Sequence, residues 1–445
     1  MIMNPYMPMG GGEEFALRLM EVLKSRHHCR LTHVVSLHKA PAGYVWQHRF
    51  EALTPDMFVL PDFTASGDIL AFLLHLIRSR HVTHVLVNNQ KLAFWLVPHL
   101  RVHAPRHVVF AAYIHTFSHV LPEIGYLPHM AKFGRHFDLG LSCFHGVTEE
   151  LVRRGVARHK LRIGYLGMDV PTVEEVERRR QASTYGSKKK KGGAKGKNNK
   201  HGDEGEDDAF HIAWVGRLSP EKGPDAIPRI AVRLHAQLQP FTRCARVHVM
   251  GAGGMMGQIT RAARKAGVGH MLVMEGYVRD AAVRMCGAGA LLITSLAEGV
   301  PFVLMEAMAC GVPVVASNLG GIPELLEDGR SGFLCDYDDV RCFADRLARL
   351  AVDPALREAM GQRAVHIIRS KFDAAVLLPQ LAESLLTAPR IEEVPPPQYS
   401  LRESIARGTA GSVGTQDLSQ WADLVRAPGM LAHFSSRLRA HVDHM

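Results

Sequence analysis

The sequence predicts an α/β protein with two domains, each built on a parallel β-sheet. At 445 residues the chain is too long for one ordinary core, because a domain typically takes about 150 residues. Short apolar runs alternate with amphipathic stretches in two parts of the chain, and a highly charged segment separates these parts. Strands that alternate with helices imply right-handed crossovers, so each part is expected to form a Rossmann-like domain.

The first predicted domain, residues 1–170, contains five apolar runs that are typical of buried strands. They are LTHVVSLH (31–38), HVTHVLVNN (81–89), RHVVFAAYIH (106–115), LGLSCF (139–144) and LRIGYLG (161–167). The stretches FALRLMEVLKSR and DILAFLLHLIRSR repeat apolar residues every three or four positions, which predicts helices. The opening residues MIMNPYM are a candidate for one more strand.

A charged segment at residues 171–209 separates the two domains. A positive block at 188–200 precedes an acidic block at 203–208. Because this composition cannot bury enough apolar surface to become ordered, we expect a disordered linker insertion. A nucleic-acid or nuclear-import patch is the alternative, but no other feature supports it and we expect no nucleic-acid partner.

The second predicted domain, residues 210–371, repeats the alternation of strands and helices. Its candidate strands are FHIAWVG (210–216), ARVHVMGAGG (245–254), HMLVMEGYV (270–278), GALLITS (289–295) and VPVVAS (312–317). Residues 372–389 predict a closing helix, and residues 390–445 form a tail whose role the sequence does not indicate.

The basic balance of the chain lies largely in the first domain. The formal net charge is +10, and residues 1–170 hold 18 Lys and Arg against 12 Asp and Glu. The lysine-rich linker holds 10 against 8 and therefore explains little of the surplus. Such a domain suits an anionic substrate or peripheral contact with a membrane surface, and a merely solubilising surface is the alternative.

The composition also predicts a cytoplasmic protein without a transmembrane helix. The longest weakly charged stretch, residues 288–317, is interrupted by glycines and prolines. The seven cysteines are scattered without a CxxC pair and no N-glycosylation sequon occurs, which favours a reducing compartment. The opening MIMNPYMPMGGGEEF lacks the basic start and unbroken apolar core of a signal peptide.

The motif WVGRLSPEKG at 214–223 follows a predicted strand and carries two cations. In two-domain proteins of this class, ligands bind at the carboxyl ends of the strands, in the cleft between the domains. Gly216 allows the backbone to approach a ligand, and Arg217 and Lys222 precede a helix, an arrangement suited to a diphosphate. Two solvated surface cations are the alternative interpretation.

The motif GAGG at 251–254 invites a dinucleotide interpretation. A G-x-G-x-x-G frame that starts at Gly251 puts Met256 where the third glycine belongs. We therefore expect a tight turn between a strand and a helix here rather than a nicotinamide-cofactor site.

The stretch SLAEGVPFVLMEAMACG at 295–311 places two carboxylates in apolar sequence. Gly299 and Pro301 predict a turn after a strand, and the following residues predict a helix that ends before Gly311. Glu298 then lies in the loop at the cleft, and Glu306 lies about one turn into the helix beside apolar neighbours. A ligand hydroxyl would satisfy such a carboxylate, whereas a solvated stripe on an ordinary helix is the alternative.

Taken together, these motifs resemble a retaining glycosyltransferase of family 4 with the GT-B architecture, in which two Rossmann-like domains face a central cleft. The resemblance extends over residues 10–370 and keeps the family's order of motifs. These motifs are GGGEE (10–14), YIH ending at His115, YLGMD (165–169) where the family usually has NGVD, GRLSPEKG, EGVPFVLMEAMACGVPVVAS, GGIPEL (320–325) and DGRSGFL (328–334).

The resemblance implies a role for each matched residue. Glu298 is expected to contact the donor sugar, Glu306 to bond the nucleotide ribose, and His115 to lie near the reacting carbon. Arg217 and Lys222 would hold the donor diphosphate and, with His115 and Glu298, form the catalytic group. The remaining donor-binding positions are the glycines of two loops and the start of the helix, namely Gly10, Gly11, Gly12, Gly216, Pro301, Phe302, Val303 and Leu304.

The implied activity is transfer of a hexose from a UDP- or GDP-sugar to a sugar, lipid-linked or other small acceptor, with retention. The donor is a substrate, and neither a cofactor nor a metal is expected, because the D-x-D at 336–338 lies beyond the cleft motifs. Only Glu298 could act as a carboxylate beside the sugar, so a front-side mechanism is expected, in which the departing phosphate helps to deprotonate the acceptor.

Two alternatives to a transferase remain at the level of sequence. One is a catalytically idle nucleotide-sugar-binding protein that docks an anionic partner through its basic first domain. The other is an epimerase or phosphorylase of the same architecture, which would need an acid pair or a pyridoxal lysine that the sequence does not display.

Overall fold

A computed structural model places the chain in two compact units. It describes residues 1–4, 11–35, 47–62, 64, 66–121, 125–183, 185, 209–241 and 244–409. Unit 1 contains 1–117, 123–166 and the chain from 375 onwards, whereas unit 2 contains 118–122 and 167–374. Gly10, the lysine-rich and acidic blocks of the linker, and the tail after 409 lie outside the described residues.

Unit 1 contains a seven-stranded sheet in which every described pair of strands is parallel. Its strands are β1 (Ile2–Asn4), β2 (His33–Val35), β3 (Met57–Val59), β4 (His84–Asn88), β5 (Val109–Ile114), β6 (Leu139–Ser142) and β7 (Leu161–Ile163), in the order β3-β2-β1-β4-β5-β6-β7. Its first helices are α1 (Gly11–Ser25), α2 (Gln47–Glu51), α3 (Ile69–Ser79), α4 (Lys91–His103), α5 (Leu127–Phe133) and α6 (His145–Arg153). All six residues of β5 are buried, as expected for a parallel strand that is covered on both faces.

Unit 2 contains a six-stranded parallel sheet. Its strands are β8 (Phe210–Val215), β9 (Ala245–Met250), β10 (Leu272–Gly276), β11 (Ala290–Ile293), β12 (Val314–Ser317) and β13 (Gly332–Cys335), in the order β10-β9-β8-β11-β12-β13. Its helices are α7 (Val173–Ala182), α8 (Ala226–Leu238), α9 (Met256–Lys265), α10 (Ala281–Met285), α11 (Phe302–Ala309), α12 (Ile322–Leu325), α13 (Val340–Val352) and α14 (Pro354–Lys371). The two parallel sheets confirm the predicted fold class.

The ten predicted strands are all present, with shorter bounds. The candidate MIMNPYM supplies β1, which pairs with both β2 and β4 and so lies inside the sheet. The strands β3 and β13 were not predicted from the sequence. Their apolar runs, MFVL at 57–60 and GFLC at 332–335, are shorter than the stretches of six to ten residues that predicted the other strands.

Part of the segment that was expected to be disordered is helical, which corrects the linker prediction. The helix α7 begins after Thr172, whose Oγ1 accepts a hydrogen bond from the amide of Glu175 over 3.2 Å. Glu175 also accepts from Arg179 one turn later, over 2.6 Å. After the helix, Ser183 donates to the carbonyl of Arg284 over 2.8 Å. A capped helix with an i,i+4 ion pair and tertiary contacts does not need the apolar content on which the prediction was based.

The chain returns to unit 1 after residue 374, in α15 (Ala374–Leu386) and α16 (Leu401–Thr409). The helix α16 packs on α4. Lys132 Nζ lies 4.5 Å from the ring centre of Trp95 on α4 and 4.4 Å from that of Tyr399, which precedes α16. A cation held between two aromatic rings stabilises this attachment. The segment whose role the sequence did not indicate therefore completes unit 1 as far as residue 409.

Four of the seven cysteines are paired, contrary to the expectation of reduced thiols. Cys286 is bonded to Cys310 and Cys335 to Cys342, with Cα–Cα distances of 5.2 and 5.7 Å. Among the described helices, none combines the length and the apolar composition that a membrane span requires. The cytoplasmic location stays a prediction.

Candidate active site

Two loops meet near the middle of the unit 2 sheet. The strands β8 and β11 are neighbours, with β9 and β10 continuing on one side and β12 and β13 on the other. Sheets whose strand order reverses in this way bind ligands outside the carboxyl ends of the strands at the reversal. The motifs at 214–223 and 295–311 follow β8 and β11, so the fold places them side by side.

Lys222 and Glu298 are in direct contact at this point. Lys222 Nζ donates a hydrogen bond to Glu298 Oε1 over 2.7 Å, and Ser295 Oγ donates to the same oxygen over 2.7 Å. Glu298 is only 7% exposed, and these donors supply hydrogen bonds that water would otherwise provide. The structure therefore brings together two of the four residues predicted to be catalytic, and adds Ser295, which the sequence analysis did not single out.

The backbone also ties the two loops together. The carbonyl of Glu221 accepts from the amide of Leu296 over 2.8 Å, and the carbonyl of Lys222 accepts from Thr294 Oγ1 over 3.1 Å. Gly223 has a φ of +56°, and a Cβ on it would lie 2.1 Å from the carbonyl oxygen of Thr294. Only glycine allows the loop after β8 to approach the end of β11 this closely.

Arg217 is more exposed than its predicted role requires. Its side chain is 75% exposed and lies 3.1 Å from Glu221 Oε1 in an i,i+4 ion pair. Burial by itself would raise the pKa of Glu221, but the hydrogen bond from Ser219 and the charges of Arg217 and Lys222 together lower it. Glu221 is therefore an ionised partner that holds Arg217 beside the loop.

The helix α11 begins directly after the Glu298 loop. Pro301 is its N-cap, and the amides of Leu304 and Met305 donate to the Pro301 carbonyl over 3.1 and 3.3 Å. The positive end of a helix dipole and the first-turn amides lie at such a start, which suits phosphate oxygens. Phe302 and Val303 are partly exposed in this first turn. Glu306, also partly exposed, lies on the same short helix about one turn later.

The GAGG motif packs against the predicted donor loop. The amide of Leu218 donates to the carbonyl of Ala252 over 2.9 Å. A Cβ on Gly251 would lie 1.8 Å from the carbonyl oxygen of Gly216. The glycine is required because two backbones meet here, so the turn predicted at 251–254 also supports Gly216 at the site.

Gly12 and His115 lie close together in unit 1. His115 directly follows β5, and Gly11 and Gly12 begin α1. A Cβ on Gly12 would lie 2.8 Å from Asn89 Nδ2 and 3.9 Å from His115 Nε2, so the glycine leaves room for both side chains. The structure thus brings the predicted glycine loop and the predicted histidine to one place.

His115 is held in a buried polar and aromatic environment. Its Nε2 lies 2.6 Å from Asn88 Oδ1, and its ring centre lies 5.0 Å from that of Phe15 and 4.5 Å from that of Tyr113. Burial lowers the pKa of His115 to about 3, so the imidazole is neutral near pH 7. The sequence did not single out Asn88, whose local signal is a polar residue at the end of an apolar strand.

The described residues offer no grouping of three or more His, Cys, Asp or Glu side chains that could hold a metal ion. This observation does not test the expectation of metal independence, which stays a prediction. The predicted roles of the individual site residues stay predictions as well. What the geometry adds is the placement of the described ones: Gly11, Gly12 and His115 lie in unit 1, and those from Gly216 to Glu306 lie in unit 2.

Most of the second unit is similar to known sequences. The family model described as "Glycosyl transferases group 1" matches residues 196–366. The chain is 36% identical over 168 residues to a D-inositol 3-phosphate glycosyltransferase of Kribbella flavida, which covers 36% of this chain and 39% of that protein. It is 29% identical over 136 residues to an N-acetyl-alpha-D-glucosaminyl L-malate synthase of Bacillus anthracis, covering 31% and 36% of the two chains. The match therefore spans about two fifths of the length of such curated relatives.

Comparison with solved structures extends the likeness of fold to most of the chain. HepE of Anabaena in complex with UDP has a TM-score of 0.67 at 18% identity, covering 87% of this chain and 99% of HepE. The lipopolysaccharide outer core galactosyltransferase WaaB has a TM-score of 0.63 at 16% identity, covering 86% and 98%. At these identities the likeness concerns the fold alone. Residues 196–366 therefore match the group 1 glycosyltransferases, and the fold of the chain is GT-B, as the resemblance implied.

Proposed function

We propose that the protein transfers a hexose from a nucleoside diphosphate sugar to an acceptor with retention of configuration. The observation that carries the proposal is the contact between Lys222 and Glu298 at the reversal point of the unit 2 sheet. Lys222, which we assign to the diphosphate, and Glu298, which we assign to the sugar, are 2.7 Å apart there. The structures of HepE with UDP and with UDP-glucose support a nucleotide-sugar donor for this fold.

The charge that develops as the nucleotide departs explains why a lysine, helix amides and a carboxylate are assigned to the site. When the bond between the sugar and the diphosphate breaks, negative charge develops on the phosphate and positive character on the sugar carbon. Lys222 and the first-turn amides of α11 would stabilise the phosphate in a fixed geometry. Glu298 would face the sugar, and Glu306 would bond the ribose. This arrangement needs no metal to neutralise the diphosphate, so we also propose metal-independent transfer.

With one carboxylate proposed beside the sugar, retention calls for a route other than double displacement. A double-displacement glycosidase needs two carboxyl groups roughly 5 Å apart, one of which attacks the sugar carbon. We instead propose a front-side reaction in which the acceptor oxygen bonds the sugar carbon on the face that the phosphate leaves. The acceptor proton passes to the departing phosphate oxygen, so the products are the glycosylated acceptor and the nucleoside diphosphate.

The proposal is tested by substituting the two contacting residues. We expect Lys222→Ala and Glu298→Ala to reduce transfer by a factor on the order of a hundred or more, because each removes charge stabilisation at the reacting centre. Lys265→Ala on α9 and Glu358→Ala on α14 are matched controls, since both side chains are exposed in the same unit. Wild-type turnover in the first pair, with melting temperatures intact, would contradict the assignment.

The donor is best identified before the acceptor. A thermal-shift panel of UDP- and GDP-sugars reports binding directly, because a ligand that binds only the folded state raises its stability by RT ln(1 + [L]/Kd). The nucleotide that binds is then tested for transfer to sugar and lipid-linked acceptors. Binding without turnover for every acceptor would favour the idle binding protein over the enzyme.

We further propose peripheral contact with a membrane surface through the basic first part of the chain. The support is the surplus of six positive charges in residues 1–170, where Lys and Arg number 18 against 12 Asp and Glu. Sedimentation with vesicles should then depend on their content of anionic lipid. Equal sedimentation with neutral and anionic vesicles would contradict this contact.

A further inference from the structure

A chain of four buried side chains crosses four neighbouring strands of unit 1. It runs from His33 in β2 through Asn4 in β1 and Asn88 in β4 to His115 after β5. His33 Nε2 lies 2.9 Å from Asn4 Nδ2, Asn88 Nδ2 lies 2.9 Å from Asn4 Oδ1, and His115 Nε2 lies 2.6 Å from Asn88 Oδ1. None of these side chains is more than 8% exposed, so the hydrogen bonds between them substitute for water.

A backbone carbonyl fixes the orientation of the Asn88 amide in this chain. Asn88 Nδ2 lies 3.0 Å from the carbonyl oxygen of Gly12. A backbone carbonyl can only accept a hydrogen bond, so it must face the nitrogen of the amide and not its oxygen. The flipped amide would point its oxygen at the Gly12 carbonyl and leave both groups without a proton between them. The two Nδ2 hydrogens are thus used by Asn4 and Gly12, and Oδ1 is directed at His115.

The orientation of Asn88 decides which nitrogen of His115 carries the proton. An amide oxygen has no hydrogen, so the 2.6 Å contact is a hydrogen bond only if His115 Nε2 donates. The pKa of about 3 leaves the ring with a single proton near pH 7. That proton is on Nε2, and Nδ1 keeps its lone pair. Toward a ligand, Nδ1 can accept a hydrogen bond but cannot donate one.

The aromatic neighbours hold the ring while Asn88 sets its proton. Phe15 meets the His115 ring edge-on, with an angle of 78° between the planes, and Tyr113 packs at 52°. Phe15 belongs to the same helix, α1, as Gly12. The start of α1 therefore acts on His115 twice, through a ring contact and through the Gly12 carbonyl that orients Asn88.

We propose that Asn88 is a positioning residue that holds His115 in the Nε2-protonated tautomer, so that Nδ1 accepts a hydrogen bond from a substrate hydroxyl. The part that concerns the substrate rests on the proposed function. The part that concerns the tautomer does not, because it follows from the contacts of Asn88, Gly12 and His115 alone.

The tautomer can be measured directly in the full chain. Nitrogen-15 spectra of protein labelled at histidine separate a protonated ring nitrogen from an unprotonated one. The signals of His115 are those that disappear in His115→Gln. We expect the Nε2-protonated form in the wild-type protein near pH 7. A predominant Nδ1-protonated form would overturn the proposal without reference to any variant of Asn88.

Two equally buried asparagines provide a matched pair of variants. Asn88→Leu removes the acceptor for the Nε2 proton, so we expect the single tautomer to be lost. Asn4→Leu removes an amide from the same chain but leaves Gly12 to orient Asn88, so the tautomer should be kept. If Asn88→Leu keeps the tautomer, or Asn4→Leu loses it equally, the proposal is wrong.

Kinetics separates the positioning role from a loss of folding. We expect Asn88→Leu to lower kcat about tenfold, the effect of one lost hydrogen bond, with nucleotide affinity unchanged in calorimetry. Both variants should lower the melting temperature to a similar extent, but Asn4→Leu should leave kcat near the wild-type value. Equal kcat losses in the two variants would contradict a positioning role. If the wild-type protein transfers no sugar, the proposed function fails, whereas the spectra still decide the role of Asn88.

Discussion

Lys222 Nζ and Glu298 Oε1 lie 2.7 Å apart, so the cation after β8 is held by the carboxylate after β11. This pairing makes the two residues unequal under substitution. Lys222→Met removes the only positive charge of the pair, whereas Glu298→Gln removes the charge that opposes it. The two substitutions are therefore expected to differ in their effects on nucleotide affinity and on the rate of sugar transfer.

We expect Lys222→Met to weaken nucleoside diphosphate binding on the order of tenfold to a hundredfold, the usual effect of losing a hydrogen bond to a charged group. Glu298→Gln should reduce transfer without weakening nucleotide binding, because the local potential becomes more positive. Isothermal calorimetry measures the first quantity and an initial-rate assay the second. A parallel loss of nucleotide affinity in both variants would contradict the division of roles.

Arg217→Ala should have a smaller effect than Lys222→Met. The Arg217 side chain is 75% exposed, so its interactions are screened by water and salt. We expect nucleotide affinity to fall less than tenfold, and the difference from wild type to shrink at high salt. Arg341→Ala is a matched control, because Arg341 is 76% exposed and also forms an i,i+4 pair, with Asp345. A loss of nucleotide affinity as large as in Lys222→Met would show that Arg217 contacts the bound nucleotide directly.

Gly320→Ala should destabilise unit 2 more than Gly329→Ala. Both glycines have a positive φ, of +60° and +72°, so both substitutions carry the backbone strain of about 1 kcal/mol or more. A Cβ on Gly320 would also lie 2.2 Å from the carbonyl oxygen of Glu298, whereas a Cβ on Gly329 meets no described atom within 4 Å. We expect an additional loss of about 1–3 kcal/mol and weaker transfer in Gly320→Ala. Urea denaturation compares the two, and equal midpoints would contradict the close contact.

Acid should destabilise the protein through its buried histidines. Burial lowers the pKa of both His33 and His115 to about 3, whereas an unfolded histidine titrates near 6.5. Below about pH 6.5 these two histidines become protonated in the unfolded chain but stay neutral in the folded state. The free energy of unfolding therefore falls as pH decreases toward 3. Above about pH 6.5 this stabilisation is fully present.

Urea midpoints between pH 7.5 and 4.5 measure this dependence. His33→Gln keeps an acceptor for Asn4 but cannot titrate, so its midpoint should fall less steeply with acid than that of the wild-type protein. The exposed His159→Gln is the control, since its ring is solvated whether or not the chain is folded. An unchanged slope in His33→Gln would mean that His33 does not contribute to acid sensitivity.

The sequence predicted the parts of the fold that repeat a pattern. Long apolar strands such as β5 and the loop motifs that follow β8 and β11 are local signals, and each occurs where it was expected. The strands β3 and β13 were missed because their apolar runs, MFVL and GFLC, are shorter than the stretches of six to ten residues that predicted the others. The helix α7 was missed because its order comes from a cap, an ion pair and contacts with the rest of unit 2 rather than from apolar content.

In the candidate site, too, local motifs were predictable from the sequence, whereas contacts between distant residues were not. Lys222 and Glu298 could be selected because each belongs to a local motif, but their mutual contact depends on β8 and β11 being neighbours. Arg217 shared the motif of Lys222, yet its exposure is a property of the loop in three dimensions. Asn88 could not be ranked from sequence, since its importance comes from a glycine carbonyl that is 76 positions away along the chain.

The return of the chain to unit 1 also sets an order of assembly during protein synthesis. Ser404 on α16 bonds His99 on α4 over 3.0 Å, although the two residues are 305 positions apart. Domains synthesised first usually fold first. Here, however, α4 cannot pack on α16 until the ribosome has synthesised all of unit 2. Apart from the short segment 118–122, unit 2 is one continuous stretch of chain, residues 167–374. It can therefore fold while unit 1 is still incomplete. The half of the protein that is translated first is thus the half that is finished last.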